Sequence, residues 1–120
     1  MSLETLLKGR RLLVAEDDFF IVEDLLRGLE QAGAEVIGPV ANLQSALDLL
    51  DKTPNLDGAV LDINLQGNLV FPLADALRQR NIPFVFLTGY ERQIIPSRFS
   101  NAKHCQKPVE LQPLIKALFG

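Results

Sequence analysis

Four short polar signals in this chain carry chemistry, and each stands where an apolar run ends. The acids Glu16-Asp17-Asp18 follow Leu12-Leu13-Val14-Ala15, Asp62 follows Ala59-Val60-Leu61, Thr88-Gly89 follows Phe84-Val85-Phe86-Leu87, and Lys107-Pro108 follows the weaker segment from Ala102 to Gln106. Crowded carboxylates repel one another unless a cation or a proton intervenes. Hard oxygen ligands of this kind suit Mg²⁺ or a similar ion. A carboxylate such as Asp62 can also attack a phosphoryl group and form an acyl phosphate, and a neighbouring divalent ion lowers the repulsion it meets. The Thr88 hydroxyl can donate to a phosphoryl oxygen, Gly89 lets backbone come close, and Lys107 offers a point charge for phosphate. Directly before Pro108, Lys107 is restricted to extended backbone. Each signal also has a plainer reading. The acids could cap a helix, Asp62 could be a turn residue, Thr88 could be structural and Lys107 a solvated surface group. Their occurrence in order, each at the end of an apolar run, favours one shared metal-and-phosphoryl pocket.

The elements that must position these groups alternate along the chain. Leu12 to Ala15, Glu35 to Val40, Gly58 to Leu61 and Phe84 to Leu87 read as strands, with a polar fifth near Ala102 to Gln106 at a sheet edge. Between them, apolar residues recur at spacings of three and four: Phe19, Val22, Leu26 and Leu29; Leu43, Ala46, Leu47 and Leu50; Val70, Leu73, Ala74 and Leu77; Leu111, Leu114, Ile115 and Leu118. Such stripes predict amphipathic helices. Asn42 is a candidate cap, and Pro72 and Pro113 fit in first turns. Pro39 marks an edge or a strand end. Tyr90 to Asn101 is the least regular stretch, where Ile94, Ile95 and Phe99 could pack but Pro96 interrupts, so a short or poorly formed helix is expected. The alternation implies a doubly wound parallel α/β sheet with helices on both faces, and such sheets bind ligands outside the carboxyl ends of their strands.

With 120 residues the chain is expected to be one domain with a real core. A net charge of −3 gives no global pull toward nucleic acid or anionic membrane. One cysteine, Cys105, and one histidine exclude an internal disulfide and a soft-ligand zinc site. No apolar run approaches the roughly 20 residues that span a bilayer, and no signal-peptide pattern is present, so a cytoplasmic location is expected. Residues 1–9 read either as a short leading helix, with Leu3, Leu6 and Leu7 as a sticky face, or as vector-derived residues.

The motifs Leu-Val-Ala-Glu16-Asp17-Asp18, Val-Leu-Asp62-Ile-Asn64-Leu, Phe-Leu-Thr88-Gly-Tyr and Gln-Lys107-Pro108 resemble those of the receiver domain of bacterial two-component response regulators, from about Arg11 to Phe119. The resemblance implies a five-stranded flavodoxin-like (CheY-like) sheet of order 2-1-3-4-5 and a single receiver domain over residues 1–120. It implies that Asp62 accepts a phosphoryl group from a sensor histidine kinase or a histidine phosphotransfer protein. Glu16, Asp17, Asp62 and the backbone carbonyl of Asn64 would hold Mg²⁺, with Thr88 and Lys107 on the phosphoryl oxygens. The output would be a switched protein-interaction face acting on a downstream protein, with no direct role for nucleic acid or membrane and with homodimerisation left open. Beyond self-catalysed phosphoryl transfer and autodephosphorylation, the resemblance implies no enzyme activity.

Phe86-Leu87-Thr88-Gly89-Tyr90 further resembles the Phe-Ala-Thr-Gly-aromatic (FAT GUY) subfamily, departing at Leu87. This subfamily is often found in alphaproteobacteria as single-domain regulators or in stress signalling. Two other departures bear on mechanism. His104 replaces the usual aromatic switch residue three positions before the lysine. Gln66 stands where many receivers have proline, so a less rigid loop is expected after Asp62. Tyr90, with Asn64, flanks the expected path of a hydrolysing water.

Two other classes use overlapping residues. A small phosphohydrolase shares the nucleophilic aspartate and Mg²⁺ but usually needs a second, general acid, which Asn64 is not. A degenerate receiver would serve only as a binding module, against which the set Asp17, Asp62, Thr88 and Lys107 argues. A flavodoxin would need a Ser/Thr/Gly-rich phosphate loop after the first strand, and none is present.

Overall fold

The computed structural model describes residues 3–89 and 91–120, with the side chains of residues 3, 91 and 92 outside that description. Its regular elements are β1 (Arg11–Ala15), α1 (Phe19–Gln31), β2 (Glu35–Val40), α2 (Leu43–Lys52), β3 (Gly58–Asp62), β4 (Asn64–Leu65), β5 (Asn68–Leu69), α3 (Phe71–Gln79), β6 (Phe84–Thr88), β7 (Lys103–Gln106) and α4 (Leu111–Phe119). The main sheet is parallel, in the order β2-β1-β3-β6-β7. Counted without the short β4–β5 hairpin, this is the 2-1-3-4-5 order expected from the sequence.

The period of two along each strand divides the core into two layers. Leu13, Ala15, Ala59, Leu61 and Phe86 face α2 and α3, where they meet Ala46, Leu50, Leu73, Ala74 and Leu77. Leu12, Val14, Val60, Val85, Leu87 and Cys105 face α1 and α4, where they meet Leu25, Leu29, Leu114, Ile115 and Leu118. The central strands are apolar on both faces because helices cover both. Each Leu, Val, Ile or Phe among them taken out of water contributes about 1.5–3 kcal/mol, so the sheet and its strand ends form the rigid part of the molecule.

The N-terminal residues join this core. A 3-10 turn at Leu3–Leu7 buries Leu7 completely in the α1–α4 layer. Arg10 stacks over the Phe119 ring at 4.5 Å and lies 3.9 Å from Asp57, tying the segment to the end of α4 and to the start of β3.

Local signals explain most element ends. Asn42 Oδ1 accepts from Ser45 N–H at 2.8 Å and caps α2. Pro72 lies in the first turn of α3. Pro39 sits on edge strand β2 after Gly38, at a register irregularity with β1. Gly38 has φ +104°, and a Cβ there would meet Val40 N at 3.0 Å and Val14 O at 3.1 Å, so only glycine fits. The Gly38–Pro39 and Lys107–Pro108 peptide bonds are both cis.

In α1 the apolar stripe differs from the expected one. Leu25 and Leu29 are buried and Ile21 is half-buried, whereas Phe19 is 71% exposed. Phe19 is the first residue of the helix and lies beyond the carboxyl end of the sheet, so it has nothing to cover. The irregular stretch forms two 3-10 turns, Glu91–Ile94 and Ser97–Phe99. Its anchor is Phe99, buried against Phe71, Phe84 and Phe86 with ring centroids 5.6–6.0 Å away. Ile95 packs beside it, but Ile94 is exposed. Tyr90 lies outside the described residues. No described helix is long and apolar enough to cross a membrane.

Candidate functional site

Parallel register brings the four polar signals to one edge. Ala15 pairs with Leu61, Asp62 with Leu87, and Thr88 with Gln106, so the carboxyl ends of β1, β3, β6 and β7 stand side by side. The three consecutive acids then divide their work. Asp18 caps α1, its Oδ1 accepting from Phe20 N–H at 2.9 Å and Ile21 N–H at 3.3 Å. Glu16 and Asp17 join Asp62, and one carboxylate oxygen from each lies within 4.8 Å of the others.

Glu16 is buried, and its Oε2 accepts from the N–H groups of Asp17 at 2.9 Å and Asp18 at 3.1 Å. Its Oε1 accepts no hydrogen bond and faces Lys107 Nζ at 3.5 Å. Lys107 Nζ donates to Asp62 Oδ1 at 3.1 Å. Burial, helped by the adjacent Asp62 carboxylate, pushes the Glu16 carboxyl up to about 8 against the pull of the Asp18 N–H and Lys107. Burial also raises Asp62, although Glu16 and Lys107 oppose the rise. For Asp17, burial acts in the same upward sense but is outweighed. The Gln66 N–H donates to Oδ2 at 2.9 Å, and with its other hydrogen bonds Asp17 stays below the ordinary carboxylate range.

The donor set fits a hard divalent cation. It has three clustered carboxylates, one of them offering a buried oxygen that accepts no hydrogen bond, and buried acids of raised pKa that a cation would discharge.

Thr88 is fully buried, and its hydroxyl donates to the Cys105 carbonyl at 3.4 Å, a long and weak bond. Lys107 N–H donates to the Thr88 carbonyl at 2.8 Å, linking the two signals through backbone. His104 stands exposed on β7, paired in register with Phe86, and lines a cleft of about 420 Å³ with Lys107, Glu110 and Pro113.

After Asp62, where Gln66 in place of proline predicts a less rigid loop, the chain folds into the short β4–β5 hairpin. Its turn residues Gln66 and Gly67 have φ +52° and +90°. Asn64 Oδ1 accepts from Gly67 N–H at 2.7 Å, and the Gln66 N–H reaches Asp17. Sequence reasoning missed this contact. Its one signal is a polar-Gly pair, Gln66-Gly67, between Leu65 and Asn68, a two-residue hairpin signature.

A parallel sheet of this order with a carboxylate cluster at its carboxyl edge defines a doubly wound, CheY-like α/β domain. No family model matches the chain. The solution structure of SdrG from Sphingomonas melonis Fr1 is similar at 34% identity and a TM-score of 0.81, over 98% of this chain and 96% of that one. The crystal structure of a response regulator receiver protein from Sinorhizobium medicae WSM419 is similar at 25% identity and a TM-score of 0.77, over 93% of each chain. The transcriptional regulatory protein PdtaR of Mycobacterium tuberculosis is 28% identical over 114 residues, covering 91% of this chain and 55% of that protein. The chain thus spans about half the length of the curated relatives it matches. It belongs to the response regulator receiver family, the signalling domains of two-component phosphorelay systems.

Proposed function

We propose that Asp62 is the phosphoryl acceptor of this receiver. The observation that carries the reading is the position of Asp62, with its Oδ1 3.1 Å from Lys107 Nζ and its carboxylate clustered with Glu16 and Asp17 within 4.8 Å. Glu16, Asp17, Asp62 and the backbone carbonyl of Asn64 would hold Mg²⁺, which when bound neutralises charge on the carboxylates and the incoming phosphoryl oxygens.

In the transfer, an Asp62 carboxylate oxygen attacks phosphorus of a phosphohistidine on a histidine kinase or phosphotransfer protein. The new O–P bond forms as the P–N bond breaks, and the imidazole leaves with the electron pair and takes a proton from solvent. In autodephosphorylation, water attacks the same phosphorus, the P–O bond to Asp62 breaks, and the carboxylate returns as the water proton passes to solvent. Lys107 exchanges its contact with Asp62 for a phosphoryl oxygen. The Thr88 hydroxyl gives up its weak bond to Cys105 and does the same. Because Lys107 N–H is bonded to the Thr88 carbonyl, the two strand ends shift together. The two added charges then act on residues 90–101, β7 and α4, the face that meets a downstream protein.

We read residues 1–120 as one receiver domain acting in the cytoplasm. Phe86 to Tyr90 and the likeness to SdrG support membership of the FAT GUY subfamily. The test is Mg²⁺-dependent incorporation of acid-labile phosphate from a small-molecule phosphodonor, in wild type and Asp62→Ala. Labelling of the wild type alone supports the reading, and equal labelling of both overturns it.

A further inference from the structure

Of the three clustered carboxylates, Glu16 and Asp62 are buried and held by the packing of β1 and β3, but Asp17 is exposed at the open side of the pocket. An exposed aspartate samples several rotamers, and fixing one on cation binding costs entropy. Here the carboxylate already accepts from the Gln66 N–H across 49 residues of sequence. That N–H points at Asp17 because Gln66 and Gly67 form a tight turn with two positive φ angles. Gln66 is not glycine, so it adopts this conformation at a cost. The two-residue strands β4 and β5 are too short to impose it alone. The Val70 N–H donates to the Ile63 carbonyl at 2.8 Å and closes the base of the hairpin, while at the turn itself the Asn64 Oδ1 accepts from Gly67 N–H at 2.7 Å and braces it from the inside. A proline at position 66, as in many receivers, has no N–H and a fixed negative φ, so it could provide neither the turn nor the bond.

We infer that Asn64 is a positioning residue: its side-chain oxygen fixes the Gln66–Gly67 turn, and through the Gln66 N–H that turn orients the Asp17 carboxylate beside Glu16 and Asp62. The inference rests on the reading of this cluster as the Mg²⁺ site, and it assigns Asn64 a side-chain role separate from its backbone carbonyl. Outer partners that orient ligands usually carry a substantial share of metal affinity.

The test measures the Mg²⁺ dissociation constant by titration calorimetry, and hydrogen exchange of the Gln66 amide without metal, in wild type, Asn64→Ala, Gln66→Gly and Gln66→Pro. Melting in EDTA establishes that each variant is folded. Asn64→Ala is expected to weaken Mg²⁺ about tenfold and to speed exchange of the Gln66 amide. Gln66→Gly, which keeps the N–H and tolerates the positive φ, should weaken Mg²⁺ binding less than Gln66→Pro, which should lose as much as Asn64→Ala. An unchanged Mg²⁺ constant in Asn64→Ala, or equal losses in Gln66→Gly and Gln66→Pro, overturns the inference. A wild type that takes no Mg²⁺ overturns the metal reading instead. The Gln66 amide then still reports on the turn, and slow exchange that Asn64→Ala leaves unaltered refutes the role of Asn64.

Discussion

Lys107 Nζ lies 3.1 Å from Asp62 Oδ1 and at the same time 3.5 Å from Glu16 Oε1, so one ammonium serves two buried carboxylates. It occupies the place where a phosphoryl group on Asp62 would need a positive charge. Lys107 therefore offsets part of the negative charge of the pocket, and under the proposed function it already stands within reach of a phosphoryl group on Asp62.

Replacing Lys107 with methionine leaves those carboxylates facing one another. At pH 8 without divalent cation the variant should be less stable by about 1–3 kcal/mol, the cost of leaving a buried acceptor without its donor, with a smaller loss at pH 5, where Glu16 carries a proton. Chemical denaturation at the two pH values measures both. Phosphate incorporation should fall by about 10²-fold, the scale of losing one preorganised group that stabilises developing charge.

Glu16 also predicts how stability and metal binding depend on pH. Its folded pKa of about 8 lies above the ordinary 4.5, so between these values the folded state holds a proton that the unfolded chain has released. This contribution to stability is fully present below pH 4.5 and is lost as pH rises through about 8. Asp17 works in the opposite sense, because its lowered pKa favours the folded state above the ordinary value of 3.8 and loses that effect as pH falls. Without Mg²⁺, melting temperature should therefore decline from pH 6 to pH 9. Mg²⁺ should reverse the decline, binding more tightly as pH rises and releasing protons at pH 7. Calorimetry in buffers of different ionisation enthalpy reads that release.

The fork from Arg98 to Asp75, with bonds of 3.0 and 3.1 Å, holds the second 3-10 turn against α3, and Arg78 adds a bond to the Arg98 carbonyl at 2.6 Å. The pair is exposed, so Asp75→Asn should change global stability little. Its effect should be local: amide exchange over residues 97–102 should quicken while that of β1 and β3 does not change. Uniform change across the sheet would contradict a local fastening.

Leu7 provides a test of the N-terminal segment. Leu7→Ala empties a fully buried position between α1 and α4 and should cost about 2–5 kcal/mol. A loss near zero, by thermal or urea unfolding, would mean that residues 3–8 do not belong to the stable core.

The strands and their terminal residues were legible because buried parallel strands are short apolar runs, and a polar residue ending one stands out. Asp62 and Thr88 follow from that contrast, whereas Lys107 ends a polar edge strand and stood out through Pro108 and the order of the signals; adjacent register does the rest. Spacing alone did not separate the roles of Glu16, Asp17 and Asp18, since three consecutive carboxylates look alike until the helix start selects Asp18 as its cap; only the family resemblance set Glu16 and Asp17 apart. Phe19 was misplaced because spacing alone does not say where a helix passes the end of the sheet. The β4–β5 hairpin escaped notice because two-residue strands are too short to show a period, and because its decisive contact comes from a backbone N–H rather than a side chain.

The most direct measurement locates the phosphate itself. The protein is incubated with Mg²⁺ and a small phosphodonor, reduced with borohydride, digested and sequenced by mass spectrometry, which turns an aspartyl phosphate into homoserine. Homoserine at position 62, formed with Mg²⁺ and not in EDTA, is the result expected. Homoserine at another aspartate, or none after a donor that labels SdrG under the same conditions, would contradict the assignment of Asp62.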